Sequence, residues 1–202
     1  MASGVCNDFG NRIPYSAYVE EFSQLKLPLI SPPTESTPNL QPRDEIWPTE
    51  PAPVIRPAAG GVELVQLSWG LPPSRPKARV VINLRSEGRN FAHGRCLVPA
   101  SHYYEFTGSG SPKKRWRFTR VGEDWFCFAG LQNSGRLGRE AFALLTVEAG
   151  PDARPYHMRE PIILDRRNWA AWLDGAVGLL QPSPAGSLAV VADDRAAADT
   201  LL

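Results

Sequence analysis

RCLVPASHYYEFTG, residues 95–108, decides how this chain is read. It is rich in β-branched and aromatic residues, punctuated by Pro99 and Ser101 and closed by Gly108, which is strand grammar. The same grammar continues on both sides, in VELVQLSWGL (62–71), ARVVINLRSEG (78–88), KRWRFTR (114–120), DWFCFAGL (124–131) and AFALLTVEA (141–149). TGSGSPKK (107–114) reads as a flexible hairpin tip, and REPIIL (159–164) as a further strand. Helices are few. Tyr15 to Leu25 is a short amphipathic helix with Tyr18, Val19, Phe22 and Leu25 on one face. DRRNWAAWLDG (165–175) is a helix with Asp165 near its cap and Gly175 at its stop.

The proline-dense stretch LPLISPPTESTPNLQPRDEIWPTEPAPVIRP (27–57) excludes helix interior. It reads as an extended segment wrapped over the core and held down by Ile46, Trp47, Val54 and Ile55. No repeat and no boundary divides the chain. The expected architecture is one α+β domain over residues 1–202, with a curved, mostly antiparallel, barrel-like sheet and peripheral helices. Residues 185–202 are expected to form a loosely attached tail, and residues 1–5 a removable or non-native leader.

Composition narrows the function classes. Lys+Arg number 22 against 21 Asp+Glu, a formal charge of +1, which argues against coating nucleic acid through bulk charge and leaves room for a local basic groove. No apolar run is long enough to span a membrane and the first residues lack a secretory pattern, so the cytoplasm is the expected compartment. The three cysteines, Cys6, Cys96 and Cys127, form no C-x-x-C pair. A structural zinc site is therefore not expected, nor any other metal or cofactor. Cys96 and Cys127 sit among apolar residues and read as core. Only Cys6 has a polar, turn-like setting.

Four polar groups interrupt the strands. Asn83, Arg85 and Glu87 alternate in VINLRSEGR, so a strand points all three from one face, as a solvent-facing edge or as a site. Glu105 lies among Tyr103, Tyr104 and Phe106. Buried there, its carboxyl would be pushed up toward a value suited to proton transfer; facing water, it would be an ordinary edge residue. His157 and Arg159 precede an apolar strand. Trp69 ends a strand before a tight turn, a place where most tryptophans are simply core. Without G-x-S-x-G, H-E-x-x-H or a phosphate-binding glycine loop, what remains is a cysteine nucleophile with acid–base helpers.

In order and spacing these motifs resemble the SOS-response-associated peptidase (SRAP) family, the abasic-site processing proteins. The matching runs are C-N-D-F from Cys6, P-T-E-P-A-P-V after Trp47, W-G-L at 69–71, N-L-R-S-E at 83–87, C-L-V-P-A-S-H-Y-Y-E-F at 96–106, F-A-G-L at 128–131 and H-M-R-E-P at 157–161. The resemblance implies recognition of abasic sites in single-stranded DNA and a covalent thiazolidine crosslink through an N-terminal cysteine. Cys6 is then the nucleophile, Asn83 the amide that positions it, Glu105 the proton shuttle and His157 an acid or base. Arg85 and Arg159 match phosphate-holding positions, and Trp69, Gly70 and Leu71 match the edge that wedges against bases. A monomer is expected, gathered at the nucleoid when bound to damaged DNA. The rival readings are a thiol autopeptidase that releases its own amino terminus and a non-covalent single-strand binding module.

Two departures stand out. Many members carry an arginine two residues after the cysteine as a phosphate contact, and this chain has Asp8. Arg12, Arg89 or the KKRWR stretch (113–117) would have to supply that contact. The second departure is MASGV ahead of Cys6, which ties the cysteine nitrogen into an amide. A start misplaced from Val5 accounts for it best; autoproteolysis and a cloning remnant are the alternatives.

Overall fold

The computed structural model describes residues 6–30, 40–73, 75, 78–134 and 140–193. The expectations for residues 1–5 and for the end of the tail lie outside these. In chain order the elements are β1 (Phe9–Asn11), α1 (Tyr15–Gln24), β2 (Arg43–Ile46), β3 (Pro51–Ala58), β4 (Gly61–Trp69), β5 (Asn83–Arg85), β6 (Arg95–Ala100) and β7 (His102–Thr107). There follow β8 (Lys114–Arg120), β9 (Phe126–Ser134), β10 (Glu140–Glu148), β11 (Arg159–Pro161), β12 (Ile163–Leu164), α2 (Trp169–Leu173) and β13 (Leu188–Ala192).

The opening stretch becomes two strands in two different sheets, with Ser101 at the break. One sheet runs β13-β8-β7-β1-β2, and every neighbour in it is antiparallel. In the other, β10-β4-β3-β6-β9 follow one another and β9 pairs back onto β10, which closes a five-stranded barrel. Strands β5 and β11 add to it at β10, and β12 at β9. The mostly antiparallel, barrel-like sheet is the architecture observed; β4 and β5 are the exceptions, running parallel to β10.

Strand alternation sorts the core into two layers. Cys96 and Val98 of β6, Phe126 and Phe128 of β9, and Phe142 and Leu144 of β10 pack into one cluster with Cys6, Phe9 and Trp69. Their neighbours Leu97, Cys127, Ala129, Leu145 and Val147 face the other cluster, which α1 and α2 cover through Tyr18, Phe22, Trp169 and Trp172. All six residues of β6 are buried, because each of its faces meets a core. Asp165 accepts from the Arg167 N–H at 3.1 Å and starts a 3₁₀ turn (Arg166–Asn168) that leads into α2.

Several expectations need correction. Val19 is 42% exposed, so the buried stripe of α1 is carried by Tyr18 and Phe22. The ARVVINLRSEG strand is reduced to the three residues of β5. The proline-dense segment does not simply wrap the core, because its last part, β3, is a wall of the barrel. Pro51, Pro53 and Pro57 fall at alternate positions, so their missing N–H groups lie along one edge. Accordingly β3 pairs with β4 along its whole length but with β6 only at Ile55–Leu97. Part of the expected loose tail is β13, paired with β8 over five residues.

Candidate active site

The site begins at β1, a three-residue strand threaded between β2 and β7. Phe9 opposes Tyr103 and Gly10 opposes His102, so the chain running back from Phe9 travels along β7 toward Glu105. It reaches a fully buried Cys6. The Cys6 N–H donates to Glu105 Oε1 at 2.8 Å, and Asn83 Nδ2, on β5, donates to the Cys6 carbonyl at 3.1 Å. The thiol points at the Asp8 carbonyl, 3.7 Å away. Cys6 has φ +34°, the left-handed region that a side chain makes costly by about 1–2 kcal/mol.

Burial sets the protonation of this group. Glu105 is 4% exposed, and desolvation pushes its carboxyl up to about 8, against the opposing pull of the Cys6 N–H. The Cys6 thiol is pushed well up by burial and by the neighbouring Glu105. At neutral pH the site therefore holds a thiol and a mostly neutral carboxylic acid, with the acid in contact with the nitrogen.

A second group of residues stands across β10. Thr146 pairs with Arg85 of β5 on one side and with Pro161 of β11 on the other. Arg159 donates through its guanidinium to the Thr146 carbonyl at 2.8 Å, and as a two-pronged fork to Glu87 at 2.8 and 2.9 Å. The N-L-R-S-E and H-M-R-E-P motifs thus meet through an ion pair. Arg85 itself is exposed. His157, in the loop before β11, has Nδ1 at 3.0 Å from the Arg159 N–H and 3.1 Å from its carbonyl.

Trp69 does not belong to an edge that bases could reach. It is fully buried, its indole N–H donates to the Ile82 carbonyl at 3.0 Å, and its ring meets Phe9 edge-on and Phe142 in a stack. Gly70 is buried with φ +134°, and Val80 lies 2.8 Å from where a Cβ would stand. Of the three, only Leu71 is part-exposed. The same strand end does carry an exposed aromatic indirectly. Trp47 is 40% exposed on a turn tied to Trp69 by the Thr49 N–H at 2.7 Å and by the Glu50 carbonyl at 2.9 Å.

Asp8 is also fully buried, and its carboxylate meets Arg115 of β8 at 2.5 Å. That pairing removes Arg115 from the candidates for the missing phosphate contact. Arg12 is engaged too, with Asp44 at 2.8 Å. Residue-by-residue reading missed Thr146 and the inward role of Arg115. The available clue was Asp8 itself, since an acid beside a core cysteine needs a cation from elsewhere in the chain. Among the described residues no group of three or more His, Cys, Asp or Glu side chains is arranged to hold a metal ion. Nor is any helix among them long and apolar enough to cross a membrane.

Among solved structures, the chain is similar to a protein from Bacteroides thetaiotaomicron, with TM-score 0.71, 17% identity, and coverage of 94% of this chain and 93% of that one. A protein from Bordetella bronchiseptica gives TM-score 0.68 and 23% identity over 93% of this chain and 99% of that one. A phage-related protein of the same organism gives TM-score 0.68 and 21% identity over 93% and 94%. At these identities the likeness establishes the fold. No curated protein matches the chain. Residues 5–192, which include β1 to β13 and every residue of the Cys6 site, match the family described as SOS response associated peptidase, and the chain belongs to that family.

Proposed function

We propose that this protein recognises abasic sites in single-stranded DNA and caps them through Cys6 as a thiazolidine. Family membership ties the chain to the DNA-damage response. The observation that supports the finer reading is the Cys6 N–H on the buried Glu105 carboxyl at 2.8 Å. When Cys6 is residue one, an amine occupies that place. It adds to the aldehyde carbon of the ring-opened sugar and passes one proton to the oxygen. The Glu105 acid supplies the second, so that the oxygen leaves as water, and the Glu105 carboxylate takes up the remaining amine proton as the imine forms. The thiol then adds to the imine carbon, its proton passes to nitrogen, and a five-membered ring closes. Tethering both nucleophiles to one residue makes the second step intramolecular. Asn83 holds the Cys6 carbonyl, and His157 serves as a further acid or base. Arg85 and Arg159 hold phosphates, while Leu71 and the exposed Trp47 offer surfaces to unstacked bases.

With Val5 attached, the nitrogen is an amide whose lone pair is delocalised, so it cannot condense with an aldehyde. The left-handed φ of Cys6 favours a second reading that leads into the first, a thiol autopeptidase. The Cys6 thiol attacks the Val5 carbonyl, the acyl group passes from nitrogen to sulfur, and water hydrolyses the thioester. Release relieves the strain, because a terminal residue has no φ. The test compares the full chain, a form beginning at Cys6 and that form carrying Cys6→Ala. Each is incubated with abasic single-stranded DNA, heated in detergent and weighed by intact mass. Only the form with a free Cys6 amine should give a heat-stable adduct. An adduct on a chain that still carries MASGV, or one undiminished by Cys6→Ala, overturns the thiazolidine route.

A further inference from the structure

We propose that the Asp8–Arg115 pair is a buried anchor that seats the Cys6 segment, so that both are positioning residues for the nucleophile. The reading of Cys6 as nucleophile underlies only the catalytic consequence. Five groups form a row across the whole five-stranded sheet: Glu45 on β2, Asp8 ahead of β1, Tyr104 on β7, Arg115 on β8 and Asp193 after β13. Arg115 is the hub. Its guanidinium meets Asp8 and Glu45, lies 3.6 Å from Asp193, and sits over the Tyr104 ring at 3.5 Å. The Asp193 N–H donates to the Arg115 carbonyl at 3.0 Å, which fixes the strand that bears it.

Asp8 has no exposed surface, so it cannot touch DNA. Placing an ionised carboxylate there without a cation would cost several kcal/mol, and Arg115, 2.5 Å away, supplies the cation that seats the segment. The backbone of Asp8 carries this constraint to the site. Its carbonyl accepts from the Tyr104 N–H at 3.0 Å and faces the Cys6 thiol at 3.7 Å. Two residues away, the Cys6 N–H reaches Glu105. The position that the family resemblance assigns to an outward phosphate contact has here been turned inward to hold the nucleophile.

Cys96 and Cys127, also fully buried but in the barrel wall, provide internal controls. The full chain, Asp8→Asn and Arg115→Lys are exposed to iodoacetamide under native conditions, and labelling of each cysteine is followed by peptide mapping. Labelling of Cys6 should speed up about 10-fold or more in the variants while Cys96 and Cys127 keep their rates. Forms beginning at Cys6 are then mixed with abasic single-stranded DNA. The maximal crosslinking rate should fall about 10-fold, with the half-saturating DNA concentration unchanged within about two-fold. Equal acceleration at all three cysteines, or none at Cys6, overturns the anchor. So does a change confined to the half-saturating concentration. If Asp8→Asn does not fold, Arg115→Lys, which keeps the charge and loses the fork, decides alone. A wild-type form that gives no adduct sinks the crosslinking reading and leaves the labelling result to decide this one.

Discussion

Glu105→Gln should make the protein more stable and its chemistry slower. The Glu105 carboxyl rises from 4.5 to about 8 on folding, because burial penalises its charge. Between those values the folded state holds a proton that the unfolded state has released, so stability falls as pH rises and levels off above about 8. At about 1.4 kcal/mol per unit the full effect is about 5 kcal/mol, of which about 3 kcal/mol is in force at pH 7. Glutamine has the shape of the neutral acid and cannot ionise, so it is free of this penalty. Asp8, raised from 3.8 to about 7 by burial against the pull of Arg115, titrates in the same window and remains in the variant. The difference between variant and wild type isolates Glu105. Urea denaturation of the full chain, in which an amide N–H faces the carboxyl, should be run from pH 4 to pH 9. The stability difference should grow by about 3 kcal/mol between pH 4 and pH 7 and stop growing above pH 8. A pH-independent difference would mean that Glu105 does not sit neutral in the fold. Starting at Cys6, the same variant should crosslink about 10²-fold more slowly, having lost its transferable proton. A wild-type rate would remove Glu105 from the chemistry.

The remaining predictions concern neighbouring side chains. Trp69→Ala should cost about 3–5 kcal/mol in chemical denaturation, while Trp69→Phe leaves single-strand affinity unchanged. A loss of affinity in a stable Trp69→Phe would return this residue to the DNA surface. Arg85→Ala should weaken single-strand binding and lower the slope of log affinity against log salt by about 1, one phosphate contact. Arg159→Ala should do the same with a smaller loss, since its fork already has a carboxylate partner; an unchanged slope in both variants would refute a phosphate role.

The strands that carry the fold were legible because their period is local. Phe126, Cys127, Phe128 and Ala129 alternate between the two cores as a period of two requires. The barrel-like curvature was expected, but which strands close it was not legible, since β4 runs parallel to β10 and β6 joins β3 to β9, pairings remote in sequence that no local pattern encodes. The prolines of β3 suggested an irregular wrapping, although alternate prolines spoil only one edge of a strand. Read by itself Trp69 was core, and only the resemblance placed it on the DNA edge; its burial is set by Phe9 and Phe142, both remote in sequence. The site itself joins residues 99 and 77 positions apart, and family resemblance rather than spacing pointed to them. The pairing of Asp8 with Arg115, 107 apart, had no such guide.

Arg159 enters any encounter with an anion already occupied. Its fork is held by Glu87, whose carboxyl is pulled down to about 2, chiefly by that hydrogen bond. Under the proposed function, a phosphate arriving there does not fill a vacancy; it takes part in an exchange, with Glu87 as the resident placeholder. The guanidinium is oriented and partly desolvated before the nucleic acid appears, so little reorganisation remains. Any incoming group must outbid a two-pronged carboxylate, which discourages chloride and stray metabolites more than a phosphate fixed on a chain whose neighbours are also bound. Discrimination then resides in the displaced acid as much as in the arginine.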